Sequence, residues 1–151
     1  MEKSLMSFTD LDKIKQAFDL EEQDYRAFSA LTLAYIGDCI YDLVIRSVVI
    51  FYSKKAVNDL HKKTTRFVKA ETQAVMMQGL IDNEVLTEEE KAVYKRGRNT
   101  KSHTMAKNAS IIAYRKATGF EAVLGYLYLT DQMERLLELV KMGLAYTDLV
   151  L

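Results

Sequence analysis

Between Phe28 and Tyr52 only Asp38, Asp42 and Arg46 are charged, in a stretch otherwise filled with apolar residues at helical spacing. No alternating apolar and polar pattern of useful length competes with it, so a long helix is the expected outcome. A helix this apolar has to be covered on most sides and must run through the middle of the molecule. The chain has 151 residues, six glycines and no proline, which leaves few places where helices are forced to break. Together these features predict an all-α fold, one helical domain large enough to bury a core without disulfide or zinc. Cys39, the single cysteine, excludes an internal disulfide.

The other helices are expected around it. Thr9 or Ser7 caps a short first helix through Phe18, which the acidic stretch Asp19 to Asp24 ends. Asn58 is a candidate cap for a helix through Lys69, with Glu71 to Ile81 continuing or following it. Thr87 with Glu90 forms a capping box opening a helix to about Lys95. Arg96 to Lys107 reads as a polar loop, Asn108 caps a helix to Ala117, and Phe120 to Leu129 and Asp131 to Met142 supply the last two.

The formal net charge is zero, which argues against a general polyanion binder, but the charges are unevenly placed. Residues 1–24 hold seven acids against Lys3, Lys13 and Lys15. Residues 91–107 hold six bases and no acid, among them Arg96, Arg98, Lys101 and Lys107, and Lys62 and Lys63 sit in a second basic stretch. Local positive charge is what attracts phosphate. Met1 to Lys13 has no apolar signal core and no uncharged run approaches a membrane span, so the expectation is a soluble, cytoplasmic protein with no membrane partner.

Two carboxylates stand where apolar residues belong. Stepping by 100° along the central helix, Asp38 shares its face with Leu31, Ala34, Tyr41, Asp42 and Ile45. Glu121 is the only acid between Gly119 and Thr130. A buried carboxylate has to be neutralised, paired or bound to a cation. Gly37 and Gly125 lie beside the two acids and would let two helix backbones approach closely, so both carboxylates could meet at one hard cation such as Mg²⁺. The alternative from the same residues is ordinary pairing: Asp38 with a neighbouring base, Asp42 with Arg46 at i, i+4, and Glu121 with Arg115 or a lysine.

These residues carry a family resemblance. Ala34-Tyr35-Ile36-Gly37-Asp38-Cys39-Ile40 resembles the signature helix of the ribonuclease III catalytic domain. The run from Phe120 to Leu129 resembles its second catalytic helix. Asn58 to Lys63 and Lys95 to Asn99 fall in the order seen in the Mini-ribonuclease III subfamily, which lacks a double-stranded-RNA-binding domain. The resemblance covers roughly Ala30 to Met142 and implies that Asp38 and Glu121 are catalytic residues and metal ligands. It divides the chain into an acidic N-terminal extension, 1–24, packing on or flanking the rest, and a catalytic domain, 25–151. Ordinary members have further acids four residues before the Asp and three before the Glu. Ala34 and Thr118 stand there instead, as in Mini-ribonuclease III. Asp42 and Thr118 are at most outlying contributors to the metal site. Cys39 stands where alanine is more usual, and a small buried thiol is expected.

The implied activity is magnesium-dependent cleavage of structured double-stranded RNA, leaving 5′-phosphate and 3′-hydroxyl ends, in maturation of the large-subunit (23S) ribosomal RNA precursor. Arg96, Arg98, Lys101 and Lys107 would reach RNA phosphates, with Lys62 and Lys63 as further contacts. His61 is expected to cap or pack locally. The family works as a two-fold dimer, and Leu31, Tyr35 and Ile36 offer apolar surface for both core and interface. A ribosomal protein presenting the RNA is a further candidate partner. Two rival readings use the same residues. One is an RNA-binding module whose thinned acidic set cuts weakly or not at all; the other is a helical interaction protein whose charges are structural.

Overall fold

The computed structural model describes residues 9–54, 56–100 and 110–151. Among them are seven α-helices and no strand: α1 (Asp10–Ala17), α2 (Ala30–Ser53), α3 (Val57–Val68), α4 (Ala70–Asp82), α5 (Glu88–Arg98), α6 (Ile111–Leu129) and α7 (Met133–Ala145). A single 3-10 turn, Tyr25–Ala27, leads into α2. The all-α expectation holds, and Lys101, Lys107, His103, Asn108 and Ser7 lie outside the described residues.

Helix α2 is central, as its composition requires, and α6 crosses it along most of its length while α4, α5 and α7 close around α6. Leu33, Tyr41, Ile45 and Val49 of α2 form one buried cluster with Phe120, Leu124 and Leu127 of α6, Met76, Met77 and Leu80 of α4, and Leu136 and Leu139 of α7. All of these side chains are fully buried. Tyr126 and Leu127 belong to this core, and Tyr128 and Leu129 pack against it.

The close crossing follows from two glycines. A Cβ on Gly125 would fall 1.9 Å from the Leu33 carbonyl oxygen, so no side chain is tolerated there, and Gly37 is equally tight against α6. Capping boxes open α1 at Thr9, one of the two caps expected, and α5 at Thr87, the box expected. Ser29 and Ser110 cap α2 and α6 through their hydroxyls.

Several expected boundaries move. Asn58 lies inside α3, which starts after Ala56 with no side-chain cap. Helix α5 runs on to Arg98, so Arg96 and Arg98 are helical and not on a loop. Gly97 does not break it, because its bare Cα fits against Gly119, where a Cβ would meet the Gly119 Cα at 2.8 Å. The two helices expected around Ala117 and Phe120 are one, α6, continuous through Gly119. The break between α3 and α4 at Lys69 has no glycine or proline. Instead, Thr72 Oγ1 donates to the Arg66 carbonyl at 2.6 Å, Tyr41 to that of Phe67 at 2.7 Å, and Gln73 to that of Val68 at 2.8 Å. Side chains thus satisfy the carbonyls that a helix end leaves open.

Candidate active site

Ala34, Tyr35 and Asp38 from α2, and Tyr114, Thr118 and Glu121 from α6, line an open cleft of about 440 Å³ along the crossing. On α6 the three positions recur at i, i+4 and i+7, one face of the helix. The two carboxylates singled out in the sequence are brought together here: Asp38 and Glu121 lie within side-chain hydrogen-bonding reach. Their environments differ. Asp38 is exposed and Glu121 is half-buried.

The position of Asp38 corrects the expectation from its helix face. Of its face-mates Ala34, Tyr41 and Ile45 are buried, but Asp38 itself stands at the solvent edge of the cleft. Face geometry shows which neighbours share a side of one helix, not where the covering helices stop. Among the described residues Glu121 forms no salt bridge; its neighbours are Asp38 and the amide of Gln73. Burial above all, then the Asp38 carboxylate, push its pKa up to about 9, and Gln73 opposes the shift. Without a cation Glu121 therefore favours its protonated form at neutral pH.

That donor set fits a hard divalent cation. Two carboxylates converge from separate helices at a solvent-open cleft, one of them unfavourable as a bare anion, and a cation can replace its proton. No cluster of three His, Cys, Asp or Glu side chains that could hold a metal ion occurs among the described residues, so two carboxylates are what those residues offer. Ala34 and Thr118 line the same cleft, and the Thr118 hydroxyl donates to the Tyr114 carbonyl at 3.0 Å. Asp42 is outside the cleft lining and forms an ion pair with Arg46 at 2.9 Å, the i, i+4 pairing read from the sequence. Cys39 is exposed and lines the cleft, which overturns the buried thiol.

Under the carboxylates lies a braced floor. Tyr41 is fully buried, stacks edge-on against Phe120 with ring centroids 5.5 Å apart, and donates to Phe67. Burial raises the Tyr41 pKa, and Glu121 adds to it, so the phenol stays neutral and donating. Sequence reasoning missed Gln73. The signal was available: Gln73 is in helical register with Met76, Met77 and Leu80, all core residues, so a polar group there needed a reason.

The basic candidates are more tied down than expected. Arg96 Nη2 donates to the Phe28 carbonyl at 2.7 Å, fastening α5 to the entry of α2. Arg98 lies over the Tyr94 ring at 5.6 Å and donates to Asn99. Lys63 donates to Ser53 Oγ at 3.0 Å. Lys62 and His61 are exposed, His61 in a separate groove with Arg46 and Asn58.

Comparison with known proteins agrees with the residues. The family model "Ribonuclease III domain" matches residues 31–132. The chain is 51% identical over 118 residues to a Mini-ribonuclease 3 of Enterococcus faecalis, covering 78% of this chain and 89% of the relative. It is also 51% identical over 125 residues to a Mini-ribonuclease 3 of Clostridium tetani, covering 82% of each. Among solved structures, a crystal structure of a Fusobacterium nucleatum protein matches with a TM-score of 0.72 and 29% identity, over 82% of this chain and 98% of that one. Ribonuclease III domains are typically metal-dependent. With its two carboxylates on the crossing helices, the chain belongs to the Mini-ribonuclease 3 family and is an endoribonuclease of the ribonuclease III type, acting on double-stranded RNA.

Proposed function

We propose that Asp38 and Glu121 are the catalytic residues and together hold Mg²⁺ for hydrolysis of a phosphodiester in structured double-stranded RNA. The observation that carries this is the meeting of the two carboxylates at an open cleft. When bound, the cation supplies an activated water and offsets charge building on the phosphate oxygens. Asp38, at the solvent edge, faces the incoming strand and solvent. Glu121 is fixed by its burial and by the helix crossing, so it presents its oxygens with little freedom to lose. The products are 5′-phosphate and 3′-hydroxyl ends, and the substrate is the large-subunit ribosomal RNA precursor, in the cytoplasm.

Double-stranded RNA is recognised by its shape, phosphates and 2′-hydroxyls, and basic side chains suit that target. Arg96, Arg98, Lys62 and Lys63 are the contacts proposed among the described residues, and Lys101 and Lys107 are proposed beyond them. A duplex has two strands, so a two-fold dimer provides two sites. Tyr35, 81% exposed on α2 beside the cleft, with Leu31, offers an apolar face for the second copy. The acidic extension, 1–24, of which residues 9–24 are described, is proposed to flank the catalytic part, 25–151. Thr9 Oγ1 donates to Asp131 at 3.0 Å, and Leu11 is buried.

The test is a labelled duplex incubated with the chain, Asp38→Asn and Glu121→Gln, with and without Mg²⁺, followed by analysis of the ends. Cleavage by the wild type alone, only with Mg²⁺, is the expected result. Binding without cleavage by the wild type at every metal concentration favours an RNA-binding module instead, and cleavage by Asp38→Asn overturns the assignment of the pair.

A further inference from the structure

Gln73 is 2% exposed, on the face of α4 that packs against α6. Its Nε2 donates to the Val68 carbonyl at 2.8 Å, and its side chain lies beside the Glu121 carboxyl. Its Oε1 is the one buried side-chain polar atom among the described residues with no hydrogen-bond partner. A methionine or leucine would fill the same space among Met76, Met77 and Leu80 and leave no acceptor stranded, so the amide is kept at a cost to stability.

We propose that Gln73 is a positioning residue for the reaction: its amide spans the α3 terminus and the Glu121 carboxylate, and so fixes Glu121 for the cation. The anchor is rigid at both ends. Val68 ends α3, whose preceding carbonyls are held by Tyr41 and Thr72, and Glu121 sits on the helix that crosses α2. Partners that orient a metal-holding carboxylate are worth about tenfold to hundredfold in metal affinity or activity when removed. The inference rests on Asp38 and Glu121 holding the cation.

The test compares the full chain with Gln73→Met and Asp38→Asn. The readouts are kcat and KM on a duplex RNA, Mn²⁺ binding to the metal-free protein by electron paramagnetic resonance, and Tm. Activity is taken per folded molecule by circular dichroism. Gln73→Met is expected to lower kcat about tenfold to hundredfold and weaken Mn²⁺ binding by a similar factor. KM stays within roughly twofold, the signature of an interaction serving the chemical step and not RNA binding. The Tm is expected to hold or rise. Wild-type Mn²⁺ affinity in Gln73→Met, whatever its Tm, reduces Gln73 to a packing residue and overturns the proposal. Wild-type Mn²⁺ binding in Asp38→Asn overturns the underlying reading instead. Should Gln73→Met fail to fold, Gln73→Asn keeps the amide but withdraws it by one carbon, and the same two measurements decide.

Discussion

Arg135 on α7 clasps the buried Glu90 of α5 with two nitrogens, Nε to Oε2 and Nη2 to Oε1, each at 2.9 Å. Nη2 also donates to the Val85 carbonyl at 2.8 Å, and the Thr87 N–H donates to Glu90 at 2.9 Å. Removing the cation strands a carboxylate whose side chain is 4% exposed. Arg135→Met is therefore expected to cost about 3 kcal/mol. The paired change Arg135→Met with Glu90→Leu should regain most of it. Denaturant midpoints of the single and double variants check this, and an additive double variant would show that the pair is not coupled.

The same fork sets an acid limit. The Arg135 guanidinium and the Thr87 N–H outweigh burial and hold the Glu90 carboxyl below its ordinary value. The unfolded chain therefore binds the proton more readily. The contribution is complete above about 4.5 and is lost as pH falls through the lower folded value. Thermal melts from pH 6 downward should fall less steeply for the double variant than for the wild type.

Glu121 has the opposite sign. In the metal-free protein its pKa, pushed up to about 9, exceeds that of the unfolded chain, so the folded state holds a proton the unfolded state releases. Stability should fall as pH rises from about 5 through 9, and Glu121→Gln should abolish that slope. Adding Mg²⁺ should release protons and bind more tightly at higher pH. Melts at pH 6 and pH 9, with and without Mg²⁺, separate the two effects.

Gly37→Ala places a methyl group 1.7 Å from the Glu121 carbonyl oxygen. The backbones must part, at a cost of about 3 kcal/mol or more, and Glu121 moves with its own peptide. Loss of Tm together with loss of cleavage is expected; a variant that melts normally and cleaves normally would show that the tight crossing does not position the carboxylates.

Arg96→Gln with Arg98→Gln should weaken duplex RNA binding and reduce its salt slope by roughly one for each phosphate that is no longer neutralised. Because Arg96 also ties α5 to Phe28, a modest loss of stability should accompany it. Unchanged slopes take this part of α5 out of the RNA surface.

Much of the architecture was legible because it rests on local chemistry. The Thr9 cap, the Thr87 capping box, the apolar α2 and the Asp42–Arg46 pair follow from spacings within one helix. The errors arose where tertiary packing overrides local preference. The loop expected from Arg96 and the break expected between Ala117 and Phe120 are both continuous helix, and Gly97 and Gly119 lie where the facing helix leaves no room for a Cβ. Asp38 and Cys39 are exposed because of how the other helices cover α2, which no single-helix projection contains. Gln73 was missed for a different reason: its register was readable, but its partner lies on another helix, 48 positions further along.

One residue carries two duties in this molecule. The peptide of Glu121 forms the tightest weld between the two longest helices, while its side chain faces the proposed chemistry. Any mutation that loosens the weld by a fraction of an ångström should register first as slower turnover and only later as unfolding, so turnover is the more sensitive gauge of how well this core is assembled.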